Sequence, residues 1–345
     1  MRKINILVTG VGGNIGQGVI KAIKRSSLDC NIIGVDCNPL SAGLFVLYKG
    51  YVVPSADSND LFCALVKIIC DESIDILLVS SDQELDFYAH NKNLLESETG
   101  VKIIVSSEDT VRIANDKLLT AEFLKQNKFP YAESVLYADQ DGLSSFVEMY
   151  PFPLIIKPRK GGGSKDVFIV SSIDELHVFG KRIENAVVQT VIGESNSEYT
   201  AAALYFEECS LFESIIFRRE LHNGTTYRAE VVKNEEMTEQ IYNIVSRLKV
   251  YGPCNIQYKF VEDKVVTFEV NPRFSGTTAM RCLVGFNDVE IVLNYVMFNK
   301  LPQEIKIENA TFLRYWNELV VFDSLNNIRN KKIISNTNSV VNNIF

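Results

Sequence analysis

Polar side chains that could bind a divalent cation occur close together in the run TFEVNPRFSG. Glu269 and Asn271 are two positions apart, and alternate residues of a strand project from the same face. The proline that follows ends the strand and turns Arg273 into the same neighbourhood. Gln257 lies on the preceding predicted strand, and a short hairpin joining the two strands places it opposite Glu269.

The oxygen atoms of this set suit Mg²⁺, which takes few protein ligands and shares the rest of its coordination with phosphates and water. A neighbouring arginine would neutralise charge on a transferring phosphoryl group. Taken alone, the tetrapeptide ENPR could also be an exposed strand end with a polar turn. The prediction of a magnesium site therefore depends on partners elsewhere in the chain.

A lysine and a glycine-rich loop in the middle of the chain predict phosphate contacts. Lys157 ends the apolar run PLIIK, and a loop of four small residues follows it: Gly161, Gly162, Gly163 and Ser164. Backbone N–H groups of such a loop can close over phosphates, and the lysine supplies a point charge. Lys117 stands at a predicted helix start, where a cation is unfavourable, so a functional use is indicated. A flexible hairpin and an exposed lysine are the respective alternatives.

The run VVQTVIG, which contains Gln189 and Val191, is typical of a strand that ends in a hinge. The edge of a hinge can offer backbone N–H and C=O groups to an adenine ring. Glu198 follows shortly afterwards, and a carboxylate at that place could hold ribose hydroxyls. On its own, Glu198 would be a surface residue.

The N-terminal run TGVGGNIG has the pattern of a dinucleotide-binding turn. It follows a predicted strand and opens a helix, and Asp36 ends the second strand 20 positions after Gly16. Tyr88 and Lys92 also have the spacing of the catalytic pair of short-chain dehydrogenases. Tight strand-to-helix turns need glycines with or without a nucleotide, however, and this pair comes too early in the chain. An NAD-linked oxidoreductase therefore stays an alternative.

Composition narrows the function classes. The 345 residues are 46% hydrophobic and 23% charged, with a net charge of −8, so nucleic acid is not an expected partner. No run approaches the length of a membrane span, and the N-terminus lacks the pattern of a secretory signal. The seven cysteines form no CxxC pair and predict reduced, mostly buried thiols in a cytoplasmic protein.

The elements that must position these residues show two kinds of hydrophobic pattern. Short, almost continuous apolar runs alternate with helical stretches up to about residue 114, which predicts a parallel α/β sheet. A smaller sheet should follow near residues 134–192, and longer alternating strands at 198–270 predict a mainly antiparallel sheet. The Asn-rich end, with an isolated apolar patch IISN, is expected to be a loosely packed tail.

Taken in order, these motifs resemble the ATP-grasp superfamily, above all the ATP-binding halves of the carbamoyl phosphate synthase large chain and its free-standing relatives. The resemblance implies an α/β and α+β fold with four parts. These are a Rossmann-like pre-ATP-grasp α/β domain (1–114), a small ATP-grasp lobe with the glycine lid (115–186), a large lobe with the metal site (187–310) and a C-terminal extension (311–345).

The resemblance also implies a role for each motif. Phosphates of ATP would be bound by Lys117, Lys157 and the lid 161–164, adenine by Gln189 and Val191, and ribose by Glu198. Gln257, Glu269 and Asn271 would ligate two Mg²⁺ ions, for which Mn²⁺ could substitute. Arg273 would be the catalytic residue at the γ-phosphate or acyl phosphate.

The implied function is an ATP- and Mg²⁺-dependent ligase that activates a carboxylate as an acyl phosphate for attack by an amine or similar nucleophile. Its partners would be small molecules, and the sequence leaves open whether the protein forms a homodimer. A non-catalytic ATP-binding sensor of the same fold is a further alternative.

Substrate residues are less sharply indicated. Asp82 and Glu84 follow the third predicted strand, where open α/β sheets bind ligands, and could hold an ammonium group. They could equally cap the next helix. Arg218, Arg219 and Arg281 are candidates for a substrate carboxylate.

Overall fold

The computed structural model describes residues 3–163, 165–193, 198–335 and 339–342. Ser164, predicted to belong to the glycine lid, lies outside the described residues. Three sheets of four or more strands follow one another along the described chain, and a two-stranded ribbon lies near its end.

The first sheet is parallel because short, fully apolar strands alternate with helices that cover both of its faces. Alternate residues of the first strand show this: Ile6 and Val8 belong to one buried cluster and Leu7 to another. The order is β3-β2-β1-β4-β5. Its elements are β1 (Ile4–Val8), α1 (Asn14–Lys24), β2 (Cys30–Asp36), α2 (Ala42–Phe45), β3 (Lys49–Val52), α3 (Leu61–Asp71), β4 (Ile76–Leu78), α4 (Leu85–Thr99), β5 (Lys102–Ile104) and α5 (Glu108–Ala114).

A smaller antiparallel sheet comes next, in the order β6-β9-β7-β8. Its elements, with the helix that leads into them, are α6 (Lys117–Gln126), β6 (Ser134–Leu136), α7 (Gln140–Met149), β7 (Leu154–Pro158), β8 (Phe168–Val170), α8 (Ile173–Gly180) and β9 (Ala186–Thr190). The two later helices cover one face, where Leu143, Ile156 and Leu176 are buried together. Since β9 belongs to this sheet, the boundary predicted at 186/187 cuts through its last strand.

The third sheet is antiparallel, with long strands in the order β14-β13-β10-β11-β12-β15. Its elements are β10 (Glu198–Phe206), β11 (Leu211–His222), β12 (Thr225–Val232), α9 (Glu235–Arg247), β13 (Gly252–Val261), β14 (Lys264–Asn271), α10 (Thr278–Arg281), α11 (Asp288–Phe298) and β15 (Thr311–Leu313). Helix α9 packs Ile241 and Val245 against buried residues of β10 and β13. Successive strands paired by hairpins form this sheet, as their alternating pattern predicts.

The C-terminal segment contradicts the expectation of a loosely packed tail. It contains β16 (Glu318–Val321), α12 (Leu325–Arg329), β17 (Ile333–Ser335) and β18 (Ser339–Asn342). The patch IISN is mostly β17, which pairs antiparallel with β3 and so becomes the edge strand of the first sheet. Ile334 is 2% exposed there, and this burial explains why an apolar patch occurs in an otherwise polar sequence.

Two expectations from composition can be compared with the fold. In the described part of the chain no helix is long and apolar enough to cross a membrane. The seven cysteines are all free, but only Cys254 is buried, whereas Cys37, Cys63 and Cys70 are exposed. The expectation that they are mostly buried is therefore wrong.

Candidate functional site

Strands β13 and β14 bring the predicted cation ligands together. Gln257 pairs with Glu269 and Asn255 with Asn271, and the register shifts immediately after Gln257. Two amide groups donate to the same carboxylate oxygen, Glu269 Oε1: Gln257 Nε2 at 3.0 Å and Asn271 Nδ2 at 2.9 Å. The three side chains thus form one connected group, as strand alternation predicts.

This donor set fits Mg²⁺ chemically. It offers amide and carboxylate oxygens with a single formal negative charge, which leaves room for phosphate oxygens and water to complete the coordination. Among the described residues there is no cluster of three or more His, Cys, Asp or Glu side chains, so a histidine- or thiolate-based centre is not indicated there.

Arg219 joins this group from β11, which is separated from β13 by β10. Its Nη2 donates to Glu198 Oε1 and to Gln257 Oε1, each at 2.6 Å, and its Nε donates to Glu198 at 3.1 Å. The side chain of Arg219 is only 7% exposed. Arg219 and Glu198 therefore neutralise each other directly beside the cation ligands. Sequence reasoning proposed both residues but not their contact.

Arg273 extends from the end of β14 to the first domain. Its Nε and Nη2 donate to Asp82 Oδ1 at 2.5 Å and Oδ2 at 2.7 Å, which is a two-point ion pair across 191 positions of sequence. Burial lowers the pKa of Arg273, but the adjacent carboxylate more than compensates and the net change is upward. The guanidinium is therefore held charged and in a fixed orientation.

Lys157 is the buried cation of the small lobe. Its Nζ donates to Gln189 Oε1 at 2.7 Å, and Gln189 Nε2 donates to Ser134 Oγ at 2.9 Å. Burial and the nearby Lys117 ammonium lower the pKa of Lys157 to about 8, although Glu269 and Glu198 oppose the change. The side chain of Gln189 is thus engaged by the lysine, and the contact with Ser134 had no signal in the sequence.

Lys117 is fixed at the beginning of α6 by a local network. Asp116 caps the helix by accepting from the N–H groups of Leu118 and Leu119, and it also binds Arg159 Nε at 2.6 Å. Lys117 Nζ donates to Gly161 O at 2.6 Å, so the ammonium contacts the glycine loop itself. The Lys117 ammonium, which is unfavourable at a helix start, therefore has its hydrogen-bond acceptor in that loop.

These groups surround one cavity of about 570 Å³ between the second and the third sheet. One side carries Lys117, Lys157 and the loop, and the opposite side carries Glu198, Gln257 and Glu269. Apolar side chains from both lobes form the remaining wall: Ile155, Val167, Ile169, Val191, Leu221 and Phe268. A flat ring can lie between such walls while charged phosphates extend toward the lysines.

A second cavity of about 300 Å³ lies on the other side of the cation ligands. Gln257 and Glu269 line both cavities, whereas Asn14, Asp82 and Arg273 line only the second. Hydroxyl groups dominate its remaining lining, from Thr200, Thr225, Thr226, Ser275 and Thr277. The second cavity is therefore a polar chamber that shares Gln257 and Glu269 with the first.

The glycine loop closes over both cavities and touches the β11–β12 hairpin. A Cβ atom on Gly224, whose φ is +70°, would lie 2.0 Å from Gly163 O. Only a residue without a side chain permits this approach. Gly224 was not among the predicted site residues, because its Asn-Gly turn has the same sequence pattern in any hairpin.

The structure separates the five substrate candidates. Asp82 is already paired with Arg273 and Arg219 with Glu198, so neither has a free charge. Arg218 projects from the other face of β11, where its half-exposed side chain pairs with Glu230. Arg281 is buried in an ion pair with Asp288. Arg218 and Arg281 line neither of the two cavities described above, so the geometry gives no support to their binding a substrate.

Glu84 lies beside the N-terminal glycine turn. Thr9 Oγ1 donates to Glu84 Oε2 at 2.5 Å. Burial raises the pKa of Glu84 to about 7; the Thr9 bond lowers it and Asp36 raises it further. No cap bond from Glu84 to the next helix is formed.

The N-terminal glycine pattern has a structural explanation. Asp36, which would hold a ribose in a dinucleotide site, accepts from the N–H of Gly12 at 2.7 Å. A Cβ on Gly16 would lie 2.5 Å from Gly10 O, so packing within the turn requires glycine. Tyr88 is 1% exposed, and Lys92 donates to Val105 O at 3.3 Å.

Comparisons with known families agree with this geometry. A model described as an ATP-grasp in the biosynthetic pathway with Ter operon matches residues 196–317, and the RimK-like ATP-grasp domain matches residues 114–205. Residues 6–104 match the PylC-like N-terminal domain, so the oxidoreductase alternative gains no support.

Curated relatives cover different shares of the chain. Carbamoyl-phosphate synthase of Methanobrevibacter smithii is 24% identical over 224 residues, which are 61% of this chain and 60% of the relative. The carbamoyl phosphate synthase large chain of Pseudothermotoga lettingae is 25% identical over 350 residues, covering 91% of this chain but 29% of the relative. The chain therefore spans less than two thirds of either relative.

Among solved structures, N5-carboxyaminoimidazole synthetase from Staphylococcus aureus complexed with ADP has a TM-score of 0.72 at 16% identity. The similarity covers 91% of this chain and 83% of that one, and it establishes the fold. Two ATP-grasp models follow each other along residues 114–317, behind the match to the PylC-like N-terminal domain, so this part of the chain consists of ATP-grasp domains.

Proposed function

We propose that this protein is an ATP- and Mg²⁺-dependent ligase that activates a carboxylate as an acyl phosphate for attack by an amine or a similar nucleophile. The observation that carries the proposal is the convergence of Lys117 and Lys157 with Gln257 and Glu269 around one cavity. The names of the curated relatives, which are carbamoyl phosphate synthases, and of the similar structure, an N5-carboxyaminoimidazole synthetase complexed with ADP, support the same chemistry.

In this proposal the first cavity binds the nucleotide. Adenine lies between the apolar walls near Val191, and Glu198 holds the ribose. Lys117, Lys157 and the loop 161–164 bind the phosphates. Bound Mg²⁺, held by Gln257, Glu269 and Asn271, would neutralise phosphate charge, and a second ion would depend mainly on phosphate oxygens because the protein set has one carboxylate.

The second cavity receives the carboxylate substrate. Arg273, held by Asp82, faces this chamber and stabilises charge on the transferred phosphoryl group. Transfer of this kind depends mainly on positioning and charge neutralisation, which fixed ion pairs supply. The glycine loop would exclude water from an acyl phosphate.

The test is ADP release by the purified protein with Mg-ATP and a panel of amino acids and small carboxylic acids. We expect release that depends on one acid and one nucleophile, and a loss of about 100-fold or more in Glu269→Gln. Glu236→Gln, at an exposed position on α9, is the matched control and should behave as wild type.

Three outcomes would contradict the proposal. Wild-type turnover in Glu269→Gln would remove the metal assignment. Thermal protection by NADH but not by Mg-ATP would favour the oxidoreductase instead. Binding of Mg-ATP without turnover under any substrate pair would favour the sensor.

A further inference from the structure

Arg219 contacts an atom that the proposed function assigns to the metal. Its Nη2 lies 2.6 Å from Gln257 Oε1, the oxygen through which Gln257 would ligate Mg²⁺. Gln257 in turn donates to Glu269, so the arginine, the glutamine and the glutamate form a chain of contacts through the ligand set. The Arg219 guanidinium, a cation of the protein itself, therefore lies beside the proposed metal ligands.

We propose that Arg219 is an internal competitor of Mg²⁺: its guanidinium occupies Gln257 in the nucleotide-free protein, so that a divalent cation binds only together with nucleotide. This inference rests on the proposed function for the identity of the metal ligands. It adds a role for Arg219 that is distinct from binding a substrate carboxylate.

The contacts of Arg219 oppose the substrate role. Nε and Nη2 are taken by Glu198 and Gln257, and Nη1 lies 3.5 Å from Thr226 Oγ1. Arginine binds a carboxylate best through two parallel N–H groups, and here Glu198 already takes that place. A substrate anion would have to displace a carboxylate of the protein itself.

The charge balance of the site supports competition. Four buried cationic side chains (Lys117, Lys157, Arg219 and Arg273) stand against three carboxylates (Asp82, Glu198 and Glu269). Adding Mg²⁺ alone would increase the positive charge that is already in excess among these side chains, which is unfavourable. A polyphosphate reverses the balance, so metal and nucleotide favour each other's binding.

Glu198 supplies the link between the two events. It is the partner that holds Arg219, and it is also the residue proposed to bind ribose hydroxyls. A nucleotide that engages Glu198 weakens the hold on Arg219, and the arginine can then leave Gln257. Nucleotide arrival thus frees the ligand that the metal needs.

The experiment measures Mn²⁺ binding to the full-length protein without nucleotide, from the electron paramagnetic resonance signal of free Mn²⁺. We expect weak binding by wild type and about tenfold tighter binding by Arg219→Gln, because the competing charge is gone. Arg219→Lys keeps the charge and should bind as weakly as wild type. Arg228→Gln, on the neighbouring β12 with a 58% exposed side chain, is the control and should also match wild type.

Equal Mn²⁺ affinity in wild type and Arg219→Gln would overturn the proposal, as would equal tightening in the Lys variant. A second measurement uses only the wild-type protein, so it tests the proposal even if Arg219→Gln does not fold. Wild-type crystals soaked in Mn²⁺ without nucleotide should show no anomalous density at Glu269, and density there with the Arg219–Gln257 contact intact would refute the competition. Because neither readout needs turnover, a failed ligase assay would leave these results interpretable.

Discussion

At the scale of single residues, the site is organised by cations that already have partners. Lys157 is bound to Gln189, Lys117 to the glycine loop and Arg273 to Asp82. Each cation is thus oriented before any ligand arrives, so little conformational entropy remains to be lost when phosphates bind. The same burial makes one of them sensitive to pH.

Lys157 should give nucleotide binding a pH dependence. Because its pKa is lowered to about 8, the side chain is charged below that pH and loses its proton above it. We expect the affinity for Mg-ATP to be constant near pH 7 and to fall by roughly tenfold per pH unit well above pH 8, which isothermal titration calorimetry can measure. Lys157→Met should bind more weakly and without this slope; an unchanged slope in that variant would assign the titration to another group.

Asp82 should act through Arg273. We expect Asp82→Asn to lower kcat by about 10- to 100-fold, because the guanidinium loses its ionic partner and its fixed orientation. The KM for ATP should change little, since Asp82 lines the second cavity and not the first. Steady-state ADP release checks both constants. Asp86→Asn, which removes an exposed partner lying 3.7 Å from Lys160, is the control, and an equal loss there would point to a general effect on the loop.

At this scale, sequence reasoning predicted which side chains lie together where one strand carries several of them. Glu269 and Asn271 follow from alternation along β14, and Gln257 follows from the hairpin. The partners of Arg273 and Arg219 could not be predicted in the same way. They come from other strands or another domain, and no local pattern encodes which distant carboxylate an arginine will meet.

At the scale of elements, the β11–β12 hairpin packs directly against the glycine loop. The loop carbonyl of Gly163 occupies the space that a side chain at Gly224 would need. The turn is therefore a seat for the loop as well as a connection between strands.

Gly224→Ala tests this contact, with Gly100→Ala as a matched control. Both glycines have similar positive φ values, +70° and +75°, but a Cβ on Gly100 would have nothing within 4 Å. We expect each variant to lose about 1 kcal/mol of stability from the left-handed conformation. Only Gly224→Ala should release ADP without ligation, because water enters under a displaced loop. Equal coupling of ADP release to product in the two variants would show that the contact is incidental.

The order of the elements was largely predictable, and the exceptions share a cause. Apolar runs identified most of the short strands of the first sheet and alternation identified the long strands of the third, which the structure confirms within a few residues. Strand β17 was misread because its three residues have too little pattern of their own, and its identity depends on pairing with β3, nearly three hundred positions away. A strand this short is defined by the sheet edge with which it pairs and not by its own sequence pattern.

At the scale of the whole molecule, the C-terminal segment packs against the N-terminal domain. After the third sheet it adds β17 to the first sheet and buries Ile334 and Ile328 against the first domain. The end of the chain is therefore part of the N-terminal core.

Ile334→Ala should destabilise this domain by about 2–5 kcal/mol, since it leaves a cavity beneath an edge strand. Ile333→Ala is the control on the same strand: Ile333 is 51% exposed, so we expect a change within about 0.5 kcal/mol. Urea unfolding followed by circular dichroism measures both. Equal midpoints for the two variants would mean that β17 contributes little to the first sheet.

The pairing of β17 also bears on which part of the molecule moves. The chain leaves the first sheet through α5 and α6, which pack against β14 of the third sheet, and it returns from the third sheet to the first through β17; such double attachment resists relative rotation. The sheet β6-β9-β7-β8 is inserted between α6 and β10, and the bridge between Tyr131 and Thr267 lies at the start of this insertion, where a pivot is expected. We therefore expect nucleotide entry and release to be accomplished by swinging this one lobe against a rigid base, rather than by spreading all three sheets apart.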